Sequence, residues 1–142
     1  MSSINSRFRT AVHALAVIAY VDERQATSDQ IAASVATDAT VVRRLLAALR
    51  EAGLVQALEG RSGGYALARS PQRISLLDVH RAVGPETLFP MPERRPNPHC
   101  AVGANIHRVL DAPLEAAHAA LEQQLAATSL ADVMQSIRGG TA

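Results

Sequence analysis

Few residues in this chain can carry chemistry. Its 142 residues include one cysteine, Cys100, and five histidines, and all 14 basic residues are arginine. Arginine's planar fork suits phosphate and guanine. Cys100 follows His99, stands near Arg94 and Arg95, and precedes a predicted helix. Cationic neighbours and a helix N-terminus favour thiolate. One reading is therefore a redox-sensing thiol that forms a sulfenic acid, a mixed thiol adduct or an intersubunit disulfide. The other is an inert small residue plugging the chain against its core. One cysteine excludes an intrachain disulfide framework and a cysteine-rich zinc site. Ser6, His13 and Asp22 compose a nominal triad, as such residues do in most sequences. No nucleophile elbow, phosphate loop or zinc-protease helix accompanies them, so no enzyme and no catalytic residue is expected. Gly60 to Gly64 joins two predicted strands and opens no helix, which argues against a phosphate cradle.

The elements that position these residues follow from composition and pattern. Apolar residues make up 48%, charged residues 19% and aromatics 3% of a 15.0 kDa chain. That is one globular domain, or one with an appended element, built on Leu, Val, Ile and Ala and mostly helical. Net charge is +1, but it is unevenly spread. Residues 1–82 hold ten Arg against seven acids, and residues 83–142 four against six. Five of the seven prolines fall in residues 84–98, where no regular element survives. The expected units are 1–83, a proline-rich connector and possible sensor segment at 84–100, and a helical arm at 101–142. No apolar run reaches the ~18–20 residues of a membrane span. The N-terminal apolar stretch is interrupted by His13 and followed by Asp22-Glu23, unlike a signal peptide. A cytoplasmic protein is expected.

Periodicity predicts a first helix over Ile4 to Val21, apolar nearly all round and so sandwiched between partners. Thr27 and Gln30 have capping-box spacing and open a short helix to Val35. Thr37 or Asp38 caps the next helix, which stops at Gly53. Its buried stripe is Val42, Leu45, Leu46 and Leu49. Residues Leu54 to Glu59 and Tyr65 to Ala68 read as two strands about a glycine-rich turn. Ser75 and Asp78 cap a fourth helix, Leu76 to Val83. A long helix, Ala101 to Ala127, is expected to kink or restart at Pro113. Ser129 and Asp132 start a last one.

Three helices followed by a two-stranded ribbon is the winged helix-turn-helix order, and the third helix suits a DNA major groove. The candidate contacts to double-stranded DNA are Arg7 on the first helix and Ser28 and Asp38 at helix starts. On the third helix they are Thr40, Val41, Arg43 and Arg44. At the ribbon tip they are Arg61, Ser62, Gly63 and Gly64. The competing reading is an adaptor whose winged helix binds protein, with Arg43 and Arg44 merely solvating a face.

Several segments resemble one bacterial regulator family, the one that includes IscR, NsrR, RirA and CymR. They are INSRF and AVHAL near the start, VVRRLLAALREAGLV, GRSGGYALAR with ISLLDVHRAV, and SLADVM near the end. NPHCAVGANI resembles the YwnA-like branch of that family. The resemblance implies a homodimeric winged-helix transcription regulator, in most members a repressor. It also implies that the long helix crosses its partner and packs on the partner's first helix. A two-fold pair then presents two recognition helices about one DNA turn apart to a near-palindromic operator. Iron–sulfur members carry three cysteines ahead of the dimerisation helix. Here Cys100 stands alone at the third, so the usual cluster site is absent and no cofactor is expected. A cluster from Cys100 and His13, His99 or His107 of both subunits is the remaining arrangement. Plainer roles are a half-buried His13 on an interface helix and a solvated His107. Members without clusters suggest control by a small-molecule effector or a regulatory protein.

Overall fold

A computed structural model describes residues 4–21, 25–85 and 87–140. Asp22 of the nominal triad lies outside the described residues. The helices are α1 Ile4–Tyr20, α2 Ser28–Val35, α3 Ala39–Glu51, α4 Leu76–Val83, α5 Ala101–Ala126 and α6 Leu130–Gly140. The strands are β1 Gln25–Ala26, β2 Val55–Leu58 and β3 Gly64–Leu67, and a 3-10 turn spans Pro71–Arg73.

Local chemistry sets most boundaries. The Thr27 hydroxyl accepts from the Gln30 amide at 3.1 Å, and Gln30 Oε1 accepts from the Thr27 amide at 2.8 Å. This reciprocal box satisfies two donors at the start of α2. Ser75 and Asp78 do the same for α4, and Ser129 and Asp132 for α6. Asp38 caps α3 alone. Helix α3 ends where Gly53 takes φ +78°, a left-handed conformation that glycine adopts without steric cost.

The core is aliphatic. Leu15 and Ile18 of α1, Ile31 of α2, Leu46 and Leu49 of α3, Leu54, Ile74 and Val79 are buried together. Helix α1 packs against α2, α3, α4, α6 and β3, as an all-round apolar helix must. The chain returns to this core at its C-terminal end. The Leu130 amide donates to the Ile74 carbonyl at 2.7 Å and the Leu76 amide to the Thr128 carbonyl at 2.9 Å. Leu130 and Met134 thereby join the same buried cluster, so residues 1–83 and α6 share one core.

Two expectations are corrected. The ribbon is three-stranded, in order β1-β3-β2, all antiparallel. At two residues, β1 is too short to show a period in the sequence. Helix α5 continues through Pro113 and does not restart there. Proline removes one hydrogen bond to the carbonyl four residues earlier. On a helix with no buried residue, water can donate to that carbonyl in place of the missing amide.

Candidate nucleic-acid interface

Helix α3 separates its faces sharply. Val42, Leu45, Leu46 and Leu49 are buried, while Thr40, Val41, Arg43, Arg44 and Ala47 are exposed. The exposed face begins at an ordered N-terminus. Asp38 Oδ1 accepts from the Thr40 amide at 2.7 Å. That backbone hydrogen bond, with the Thr40 hydroxyl and the nearby Arg43 charge, holds the Asp38 carboxyl below the usual carboxylate range. Arg43 reaches back over the same turn, donating from Nη2 to Thr40 Oγ1 at 3.4 Å. Asp38, Thr40 and Arg43 are therefore one linked group. Val41 is 41% exposed, an apolar surface of the kind that can meet a thymine methyl.

The wing tip is Glu59 to Gly63. The Gly63 amide donates to the Gly60 carbonyl at 3.0 Å and closes the turn. A Cβ at Gly63 would sit 2.7 Å from the Leu58 carbonyl oxygen, and one at Gly64 would sit 2.7 Å from that of Ala26. Steric demand within the sheet thus explains why both are glycine. Arg44 and Arg61 are exposed and make no side-chain hydrogen bond or ion pair among the described residues. Both guanidinium groups are available to phosphate. Arg7 is exposed on α1, and Ser28 is the half-buried first residue of α2. Sequence reasoning missed Gln25, whose Nε2 donates to the Ser62 carbonyl at 3.0 Å. Its only signal was the second glycine at 64, which marks a close backbone approach.

Cys100 is the N-cap of α5 and its thiol is exposed, which overturns the core-plug reading. Its Sγ closes no full cap hydrogen bond. Even so, the Gly103 and Val102 amides lower its pKa from the ordinary thiol range. Arg94 and Arg95, credited from the sequence, are not among the causes. His13 is exposed and not half-buried, with Nε2 2.9 Å from Ser34 Oγ. His107 is half-buried where a solvated position was expected.

An iron–sulfur centre of the usual kind does not fit these residues. Cys100 is the chain's only cysteine, and no group of three His, Cys, Asp or Glu among the described residues could hold a metal ion. A single cysteine per chain cannot supply the three thiolates of that site.

Comparison with known proteins gives a consistent answer. The sequence pattern of Rrf2, described as an iron-dependent transcriptional regulator, matches residues 4–136. The chain is 42% identical to the HTH-type transcriptional regulator YwnA of Bacillus subtilis over 135 residues, covering 94% of this chain and 98% of that protein. A crystal structure of a DNA-binding protein superposes with a TM-score of 0.72 at 35% identity, over 91% of this chain and 99% of that one. IscR of T. potens shares the fold with a TM-score of 0.75 at 24% identity, over 100% and 91%.

Proposed function

The chain belongs to the Rrf2 family of transcriptional regulators, and from that premise we propose that it acts as a homodimer repressing transcription from a near-palindromic operator. As a winged-helix regulator it binds DNA and is not an enzyme. No helix among the described residues is long and apolar enough to cross a membrane. The finer reading rests on one observation. Helix α5 has 26 residues and buries none of them, and it exposes Val102, Ile106, Val109 and Leu110. In its far half the half-buried Leu121 and Leu125 line a groove with Phe8, Val12 and His80. A second α5 crossing the exposed half gives those side chains cover and sets two α3 helices for successive major grooves.

In this reading residues 1–83 carry the DNA contacts, 84–100 the input and α5 the dimer arm, with α6 returning to the core of the DNA-binding unit. Thr40, Val41 and Arg43 meet base edges, with Asp38 ordering them. Arg44, Arg61 and Arg7 meet phosphate, and Ser28 and Ser62 to Gly64 lie along the DNA backbone. Cys100 is the preferred input, because an exposed N-cap thiol with a lowered pKa is disposed to oxidation. The thiolate attacks one peroxide oxygen, the O–O bond breaks, and hydroxide leaves to become water. Sulfur is oxidised to sulfenic acid and peroxide is reduced. An effector or regulatory protein at the connector is the alternative input.

The test is a titration of anaerobically purified protein against DNA from its own upstream region, before and after mild peroxide. Tight binding that falls steeply with salt, by a particle of twice the chain mass, is the expected result. A peroxide response lost in Cys100→Ser assigns the input to this thiol, and a response kept in that variant removes Cys100. A monomer bound to DNA overturns the dimer. A folded protein with no salt-sensitive DNA binding favours the adaptor.

A further inference from the structure

We propose that Gln25 is a positioning residue for the DNA contact at the wing. It holds the tip through its hydrogen bond to the Ser62 carbonyl. The inference rests on the DNA-binding reading of Arg61, and it adds a residue outside both the recognition helix and the hairpin.

The wing is a small structure with an exposed end. Strands β2 and β3 have four residues each, and a two-stranded hairpin of that size is marginal on its own. Two features brace it. The first is β1, paired as Gln25↔Ala66 and Ala26↔Tyr65. It sits so close to β3 that only glycine fits at position 64. The second is the Gln25 side chain, which crosses from this edge strand to the tip and donates to the Ser62 carbonyl at 3.0 Å.

Ser62 directly follows Arg61, and within the tip the other backbone hydrogen bond is the one from Gly63 to Gly60. Gly60 takes φ +101°, and glycine in a free chain has more conformations open to it than any other residue. A donor fixed on the sheet removes some of that freedom before DNA arrives. Pre-ordering of this kind raises affinity by lowering the ordering cost of binding.

The experiment uses the full chain and a duplex selected by the wild-type protein from a random-sequence library. Affinity is measured for Gln25→Met, which keeps the length and loses the donor, for Arg61→Ala, and for the double variant. Gln25→Ala serves as a second variant in case Met disturbs β1. Loss of one neutral hydrogen bond predicts a drop of roughly three- to tenfold. If Gln25 acts through Arg61, the double variant binds no worse than Arg61→Ala alone. Amide exchange in free protein should also quicken across residues 60–64 in Gln25→Met.

Additive losses, or no loss in Gln25→Met, overturn the inference and leave the wing contact standing. Unchanged exchange at the tip overturns it irrespective of DNA. A neutral Arg61→Ala removes the wing contact itself, and Gln25 then has nothing to position. A library that yields no selected duplex overturns the DNA reading and the inference with it.

Discussion

Arg69 lies between two helix ends and touches both. Its Nη1 stands 3.6 Å from Asp78 Oδ2, and its Nη2 donates to the Ala52 carbonyl at 3.5 Å. Asp78 also accepts from the Ser75 amide at 3.0 Å. One carboxylate therefore caps α4 and pairs with an arginine that covers the C-terminal end of α3. The arrangement gives a physical reason for GYALAR and ISLLDV to occur together. The first segment supplies the arginine at the end of β3, and the second supplies the box it meets.

Asp78→Ala is expected to cost about 1 kcal/mol through the lost hydrogen bond from the Ser75 amide, read by urea denaturation. Arg69→Met should cost less, because its pair with Asp78 is exposed and such pairs contribute ~0–1 kcal/mol. Combined, the two should fall short of additivity, since both act at one carboxylate. Fully additive losses would mean that the pairing contributes nothing to the α3–α4 joint.

The same residues show how far the sequence could be read. Thr27–Gln30, Ser75–Asp78 and Ser129–Asp132 are local devices, complete within four residues, and each forms as its spacing predicts. The α3 stripe is equally local, because a 3.6-residue period alone decides which side chains face inward. Strand β1 was not legible, for two residues carry no period and only tertiary pairing makes them a strand. Nor was the docking of α6 on Ile74, which joins segments more than fifty residues apart. Exposure of Cys100 was equally hidden, because it depends on whether the connector folds over the start of α5.

Helix α6 should be inseparable from the core it rejoins. Leu130 is 1% exposed and Met134 3%. Leu130→Ala leaves a cavity in the core where α6 packs on α1 and the 3-10 turn and should cost about 2–5 kcal/mol. One cooperative urea transition, shifted to lower midpoint, is the expected result. A separate early transition with an undisturbed main one would make α6 an independent appendage.

Arg43 and Arg44 adjoin in sequence but should differ in effect. Arg43 is tied to Thr40 at the start of α3, where side chains reach base edges. Arg43→Ala should lose about 1–3 kcal/mol and relax preference at a single base pair. Arg44→Ala should weaken binding to all duplexes alike and lower the salt slope by about 1. Binding-site selection with each variant separates the two. An unchanged sequence preference in Arg43→Ala would place base recognition elsewhere.

Acid should loosen the recognition helix before neutral pH affects it. The folded Asp38 pKa lies below the usual carboxylate range, chiefly through the Thr40 amide. The unfolded chain therefore binds the proton more readily than the folded one. This contribution to stability is fully present above the ordinary carboxylate pKa and is lost as pH falls through the folded value. Asp132, held low by the Ser129 amide, adds in the same direction. Asp38→Asn keeps a good N-cap and removes that titration. Its stability curve should match wild type at pH 7 in shape and fall less steeply on the acid side. An identical acid limb would show that Asp38 is not linked to folding.

The strongest demand on the proposed assembly falls on Ile106. It lies in the N-terminal half of α5 with Val102, Val109 and Leu110, all exposed, on a helix that has no fully buried residue in its own chain. Isolated apolar residues on a surface are ordinary, but a contiguous set along one helix marks an interaction face. An aspartate at its centre places an unpaired charge where a dimer excludes water, which such interfaces tolerate poorly. Ile106→Asp should therefore sediment as a monomer while keeping the helical content and the core of residues 1–83. Its loss of DNA affinity should exceed that of any single arginine variant. Two linked recognition helices bind with an effective concentration that separate ones lack, a gain of roughly 10²–10⁴. Sedimentation at twice the chain mass in Ile106→Asp would show that α5 does not form the interface in this way. A monomer that retains full affinity would show that one winged helix suffices for DNA binding.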